Sequence, residues 1–566
     1  MESMMQINKR SDVIVGGVTL FLIVSAVLSI LYLGHLGAYP LINPDEGRYA
    51  EIPREMLFSG NFITPHLNGV EYFEKPALQY WFTALSMFIF GENEFAVRLF
   101  PALCALGGIF CTGILGKEMF NRKVGYLSSV ILATSFLYFV IGSLNILDMG
   151  VSFFITLALT AFYKFSVSQK KLWLYLVYVA MALGTLTKGL VAIVLTGAVI
   201  FMYAICTKQF KLLAKSLSIV GLILFLAITI PWFYLVCRDN PDFFYFFFIQ
   251  EHFLRYLTKM HDRYQPFYFF IPCIILGIFP WTGFLGFSWK KLFSPKMMWH
   301  KLQDSPRKNA YVFLFLWFSI IFVFYSMSDS KLVPYIVPCL IPLSIIISDR
   351  ILSLENMASK MKSVLIVNGV IAFIICLALV YTAVRGDFMA VGEFLAVGGS
   401  LILTLMIFSV LNLFLWHKYH DVQKIILSYV LFSILFSFSL QPVITEVANH
   451  RTSKNASAIV NMWKNEDSVI ICYRDYVQDM PFYTKSRLMV YDYLGELEFG
   501  AKHKSGEGWF FNNQEELWRI WQNNREAIVV IPSKFKNEAL EKLNIDKENT
   551  NIDMREADRY IIIKHK

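Results

Sequence analysis

Apolar stretches long enough to cross a bilayer recur along most of this 566-residue chain. They fall at about 13–33, 95–116, 124–141, 147–166, 172–187, 190–206, 215–236, 266–287, 310–326, 332–348, 363–383, 390–416 and 425–443. A span needs about 20 apolar residues, fewer where a helix lies inside a bundle. A chain inside lipid must satisfy its own backbone N–H and C=O groups, so these runs predict helices and not irregular loops. The reading is an α-helical polytopic membrane protein with about thirteen transmembrane helices. Composition agrees: 56% of residues are hydrophobic and 16% charged, against about 25% charged in soluble domains. That excludes a soluble enzyme, a disordered chain and a nucleic-acid binder.

Charge divides the chain in two. From Thr445 onward there are 18 Lys/Arg and 19 Asp/Glu, leaving 33 basic and 23 acidic residues in the first 444. The basic excess therefore belongs to the membrane part and reads as topology. The first run follows Lys9 and Arg10 and reads as an uncleaved anchor with a cytoplasmic N-terminus. The loops on that side then carry 21 Lys/Arg and the opposite loops 11, the asymmetry of a positive inside. An odd number of spans puts the C-terminal part outside. Residues 1–444 form the membrane domain, with amphipathic outer loops at 34–94 and 237–265, and residues 445–566 a small soluble α/β domain. In the latter, Ser468–Tyr473, Ala527–Pro532 and Arg559–Lys564 read as strands, and Asn512–Asn524 and Ser533–Leu543 as helices. It carries no catalytic motif and reads as a cap or docking module. None of the eight cysteines forms a CxxC pair, so no zinc knuckle or disulfide framework is suggested.

The chemistry is expected in the outer loops. Pro44-Asp45-Glu46 starts a helix with its acids at the positive end of the dipole. Arg48, Tyr49, Ile52 and Met56 follow at helical spacing, as in an amphipathic helix on the outer membrane face. In Tyr72-Phe73-Glu74-Lys75-Pro76 a lysine stands among aromatics; it is either a point charge for a phosphate or a snorkelling belt residue. Asp148 lies at a membrane boundary with no basic residue in its own loop, as a functional carboxylate or as a helix N-cap. His252 and Arg255 share a helical face among aromatics, and Lys331 precedes Pro334-Tyr335. Acidic and basic groups thus gather on one side of the membrane and not at mid-span. That arrangement suits a site at the membrane surface and an amphipathic substrate, a polar phosphorylated head on a lipid tail.

As a set, Asp45-Glu46-Gly47-Arg48-Tyr49-Ala50-Glu51, Phe73-Glu74-Lys75-Pro76, Glu92 to Arg98-Leu99, Glu251-His252-Phe253-x-Arg255, Gly277-x-x-Pro280-Trp281 and Ser330-Lys331-Leu332-x-Pro334-Tyr335 resemble the bacterial aminoarabinose transferases of lipid A modification. These are relatives of the protein O-mannosyltransferases with the membrane-embedded GT-C glycosyltransferase fold. The resemblance covers essentially the whole chain. Ala77 and Val333 depart mildly from the pattern and leave the donor sugar open.

The resemblance implies transfer of 4-amino-4-deoxy-L-arabinose from undecaprenyl phosphate to a lipid A phosphate, on the periplasmic face of a bacterial inner membrane. It implies Asp45 as the essential acid with Asp148 its partner, and Arg48 and Lys75 in the same catalytic set. Lys75, Arg255, Tyr72, Lys331 and Tyr335 would hold the lipid phosphate or line the lipid cavity. Glu74 and His252 match positions that carry a divalent ion, zinc; no nucleotide cofactor is implied. Another polyprenyl-linked sugar, such as galactosamine, and another acceptor are the alternatives within enzymes. A lipid-linked-sugar flippase is the alternative in another class.

Overall fold

The computed structural model describes residues 26–254, 265–286, 306–353, 357–385, 391–545 and 551–566. The apolar runs become helices. Asp45–Ser59 (α1) and Leu78–Phe90 (α2) precede the long helix Glu94–Met119 (α3). Then come Arg122–Ala133 (α4), Phe136–Gly142 (α5), Leu147–Ser168 (α6) and Lys171–Lys188 (α7). The bundle continues through Val191–Cys206, Ile219–Asp239, Pro306–Met327, Leu340–Ser353, Met357–Arg385, Val391–Tyr419 and Val422–Arg451. Among the described residues eight helices are long and apolar enough to span, or nine if α4 and α5 count as one. The first expected span lies mostly outside the described residues, and 266–287 is broken into Phe270–Gly277 and a short 3-10 turn, Trp281–Phe284.

The α4–α5 bend of 66° has a local cause. The hydroxyls of Thr134 and Ser135 turn back onto the carbonyls of Val130 and Ile131. The N–H of Phe136, freed from the helix ladder, donates to the carbonyl of Phe279 at 3.1 Å. Trp281 Nε1 donates to Thr134 Oγ1 at 3.0 Å. A neighbouring broken segment thus satisfies the backbone that the break exposes, the condition for irregular structure at membrane depth.

Burial grades the helices. Leu147–Ser168 and Val333–Ser353 are 72% and 83% buried over their apolar windows, whereas Ile219–Asp239 and Lys360–Tyr381 are 22% buried. The former make the core of the bundle and the latter present apolar side chains outward, as lipid-facing helices do. Helix Val422–Arg451 runs unbroken past Thr445, so the soluble domain starts some seven residues later than expected, with Ser453 as the first cap of the next helix.

That domain is a six-stranded sheet in the order β5-β4-β3-β6-β8-β7. Its strands are β3 (Ile470–Tyr473), β4 (Met489–Tyr491), β5 (Phe510–Phe511), β6 (Ile528–Pro532), β7 (Ile552–Ala557) and β8 (Tyr560–His565), after a small hairpin of β1 (His66–Leu67) and β2 (Val70–Glu71) in the membrane domain. Strands β5, β4, β3 and β6 run parallel, β8 runs antiparallel to β6, and β7 antiparallel to β8. The expected strands and helices of this domain are present; β4, β5 and β7, short or polar, were not foreseen. All residues of β3 and β6 are buried, as a strand covered on both faces must be.

Candidate functional site

A cavity of about 730 Å³ opens where the bundle, α1 and the α/β domain meet. It is built from the first turn of α1 outward. Glu46, on the inner side of that turn, is gripped by Arg98 of α3: Nε donates to Oε1 at 2.8 Å and Nη2 to Oε2 at 2.7 Å. The remaining N–H groups of Arg98 go to the carbonyls of Leu36, Tyr39 and Pro40. All five guanidinium donors are therefore used, the requirement for a charge that is 0% exposed. Glu46 also accepts the backbone N–H of Ile42 and of Asn145. Asn145 in turn donates to the carbonyl of Tyr49 and accepts from Gln79. One buried network thus fixes α1 against the segment that leads into α6, and it holds Asp45 and Asp148 on the walls of one cavity.

Helix α1 does not lie on the membrane face. Nine of its fifteen residues are buried, because it is sandwiched between the bundle and the α/β domain. Gly47 is the point of closest approach: a Cβ there would stand 2.6 Å from the backbone nitrogen of Asp479. The amphipathic spacing was right, but both faces are occupied by protein.

Of the expected site residues, Asp45, Arg48, Glu74, Lys75, Asp148 and Tyr335 all line the cavity. Arg48 Nη2 donates to Asp45 Oδ1 at 3.1 Å and Nη1 to the Tyr72 hydroxyl at 3.0 Å. Arg48 is also paired with Glu496 of the α/β domain. Lys75 Nζ donates to the Glu74 carbonyl at 2.8 Å and lies 3.8 and 3.9 Å from the carboxylates of Glu74 and Glu251. Asp148 has a basic partner after all: Lys188, at the end of α7, donates to its Oδ1 at 2.5 Å. Lys188 also stands 4.3 Å above the Tyr335 ring.

Two expected residues are placed elsewhere. Lys331 does not line the cavity; it is 4% exposed and its ammonium is used up by the carbonyls of Gln265 and Ser328, at 2.7 and 2.5 Å. A buried ammonium needs acceptors, and here loop backbone supplies them. Tyr72 is 1% exposed and sits behind Arg48, off the cavity wall. Arg255 and the side chain of His252 lie outside the described residues. Among the described residues no three His, Cys, Asp or Glu side chains group as metal ligands do. Glu74 supplies one carboxylate, 3.8 Å from the Lys75 ammonium.

The α/β domain contributes more than a cover. The loops leaving the carboxyl ends of β3 and β4 supply Gln478, Tyr493, Gly495 and Glu496 to the wall, with Glu498 and Lys502 beyond them. The carboxyl edge of parallel strands is where open α/β sheets present ligand-binding loops. Gly495 takes φ +50 with the Tyr493 hydroxyl packed where a Cβ would be, which delivers Glu496 to Arg48. Burial raises the carboxyl of Glu496 above the usual carboxylate range, the Arg48 charge opposing that shift. Sequence reasoning did not single out Lys188, Glu496 or Gln478. Their only local signal is a polar residue at the end of an element, and their significance comes from partners far along the chain.

Among the described residues, the wall carries six carboxylates (Asp45, Glu74, Asp148, Glu251, Glu496 and Glu498) against four cations (Arg48, Lys75, Lys188 and Lys502). The cations suit a phosphate, and the surplus carboxylates suit a cationic group beside it.

Comparison with known proteins supplies the relatives. The family model for dolichyl-phosphate-mannose-protein mannosyltransferase matches residues 18–247, and that for the aminoarabinose transferase C-terminal domain matches residues 457–563. An undecaprenyl phosphate-alpha-4-amino-4-deoxy-L-arabinose arabinosyl transferase of Proteus mirabilis is 39% identical over 326 residues, 56% of each chain. One from Shewanella sediminis is 34% identical over 368 residues, 64% of this chain and 65% of that one. The aligned part thus spans less than two thirds of these relatives' length. The crystal structure of ArnT from Cupriavidus metallidurans bound to undecaprenyl phosphate superimposes with a TM-score of 0.84 at 26% identity, covering 97% of this chain and 98% of that one.

Proposed function

We propose that the chain is an aminoarabinose transferase, as its relatives are named, and that it moves 4-amino-4-deoxy-L-arabinose from undecaprenyl phosphate to a phosphate of lipid A. The observation that carries the reading is the composition of one cavity at the top of a membrane bundle: cations for a lipid phosphate and, among the described residues, more carboxylates than cations. An amino sugar on a polyprenyl phosphate matches both halves. The donor named for the relatives and the lipid bound in the Cupriavidus structure support the same choice.

Breaking a bond between a sugar and a phosphate builds positive charge on the ring and negative charge on the leaving oxygen. Lys75, held by the Glu74 carbonyl beside Pro76, stabilises the leaving phosphate as that charge grows. Asp45, half-exposed on the wall and steadied by Arg48, faces the developing charge of the ring. The acceptor is already an anion, so no strong base is required of it. Lys188 neutralises Asp148 and packs on Tyr335, holding that side of the cavity in shape. The excess of Lys/Arg in one set of loops orients the cavity to the periplasmic side of the inner membrane.

A flippase would set polar groups along a path through the bilayer; here they converge at one end of the bundle. Mass spectrometry of lipid A from cells with and without the protein tests the reaction. An added aminopentose is expected; an added aminohexose would move the proposal to another polyprenyl-linked sugar. Asp45→Asn is nearly isosteric and removes the charge. It is expected to abolish transfer while the protein still inserts and folds; retention of more than about a tenth of the rate, about 1.4 kcal/mol of barrier, overturns the role of Asp45.

A further inference from the structure

The loop after β3 is held unusually firmly for a surface connection. Asp479 is 0% exposed and its carboxylate accepts four hydrogen bonds. Thr452 Oγ1 and the Ser453 N–H donate to Oδ2 at 2.8 Å each. Ser453 Oγ and Asn43 Nδ2 donate to Oδ1 at 2.6 and 2.5 Å. The Asn43 bond ties the loop to the residue two positions before Asp45. Met480 N–H closes a turn onto the Val477 carbonyl at 3.1 Å, and Gly47 of α1 lets the loop backbone sit directly on the helix. These contacts fix the backbone on both sides of residue 478.

Gln478 itself is directed into the cavity wall. It is 8% exposed, and its amide oxygen is buried with no hydrogen-bond partner among the described residues. An unpaired buried amide oxygen costs about 1–3 kcal/mol, and apolar side chains of similar size avoid that cost. Such an acceptor on a rigid backbone is complementary to a ligand that brings an N–H or O–H.

Lys75 and Lys188 come from the bundle side together with four carboxylates, while Glu496 and Glu498 come from the α/β domain beside Gln478, with Lys502 tied to Glu498 at 2.6 Å. An ionised phosphate offers only acceptors, so the Gln478 amide oxygen has no bond to make with it and is complementary to the sugar of a phosphate-linked sugar. We infer that Gln478 is a specificity-determining residue for the transferred sugar, its amide oxygen accepting a hydrogen bond from an N–H or O–H on the ring. This rests on the function proposed above. It adds that the α/β domain takes part in reading the sugar.

The test uses full-length protein in lipid nanodiscs, with undecaprenyl phosphate-linked aminoarabinose as donor, lipid A as acceptor, and plain undecaprenyl phosphate as a sugar-free probe. Gln478→Leu removes the acceptor at similar volume. It is expected to lower kcat/KM for the donor by about tenfold, the range of one lost hydrogen bond. Affinity for undecaprenyl phosphate and KM for lipid A are expected to stay at wild-type values, and the unfolding temperature to be no lower than that of the wild type, because leucine leaves no unpaired acceptor. Gln478→Asn, with the amide withdrawn by one carbon, is expected to fall between. An active wild type with an unchanged donor kcat/KM in Gln478→Leu overturns the inference. So does a parallel loss of undecaprenyl phosphate binding, which marks a structural role, or a change confined to the lipid A KM, which places Gln478 on the acceptor. A wild type that transfers no sugar from this donor overturns the proposed function and this inference with it.

Discussion

Replacing Arg98 with methionine removes the only cation that touches Glu46 among the described residues while keeping an unbranched side chain in the core of α3. The magnitude can be worked from the contacts. Breaking a fully buried ion pair from one side costs about 3–5 kcal/mol. Glu46 keeps the backbone donors of Ile42 and Asn145 at 2.9 and 2.8 Å, which favours the lower end. The carbonyls of Leu36, Tyr39 and Pro40 lose their donors at the same time, which favours the upper end. About 4 kcal/mol is the expected loss. Adding Glu46→Gln to Arg98→Met removes the stranded charge and is expected to restore about 1–2 kcal/mol. The unfolding temperatures of purified proteins in one detergent should rank wild type, then the double variant, then Arg98→Met. Transfer should fall with stability, since Asp45 and the Asn145 segment hang on the same network. An Arg98→Met protein that unfolds with the wild type refutes the reasoning, as does a double variant no more stable than the single one.

Lys75→Ala is expected to slow sugar transfer by at least about 100-fold, about 2.7 kcal/mol, read as turnover of the lipid-linked donor; a rate within threefold of wild type would remove Lys75 from the leaving-group site. Glu55, near the end of α1, accepts the Gly69 N–H at 3.0 Å, and burial, then the neighbouring Glu51 carboxylate, push its carboxyl up to about 8. The folded state therefore holds a proton that the unfolded chain releases from near 4.5, so this group's stabilisation is complete below that pH and is lost as pH rises to about 8. Glu55→Gln should flatten the fall in unfolding temperature between pH 5 and pH 9, and parallel curves for the two proteins would contradict the assignment.

Much of this was legible because membrane helices and the two long outer loops announce themselves locally. The runs from 95 to 443 fall on helices or broken helices, and Asp45, Arg48, Glu74 and Lys75 of the first outer loop share one cavity. What was not legible depends on pairing at long range. Asp148 looked unpaired because Lys188 lies forty residues on. Helix α1 has the spacing of a membrane-surface helix, and its partner on the second face begins more than 400 residues later, at Asp479. Lys331 carries the charge and the aromatic neighbours of a phosphate ligand, but the loop around it folds so that two carbonyls reach the ammonium first. In each case the side chain's type was informative and its partner was not.

The cavity wall draws on Pro44 near one end of the chain and Lys502 near the other. During synthesis the whole bundle precedes the strands that complete this wall, so a growing chain displays Asp45 and Lys75 with no Glu496 or Gln478 opposite them. Arg48 then has no Glu496 partner and α1 has one bare flank. The finished site can therefore arise only as the last step of biogenesis, when the α/β domain folds and settles on α1. A chain stalled or clipped before β4 therefore has an open, unfinished cavity and an exposed flank on that helix.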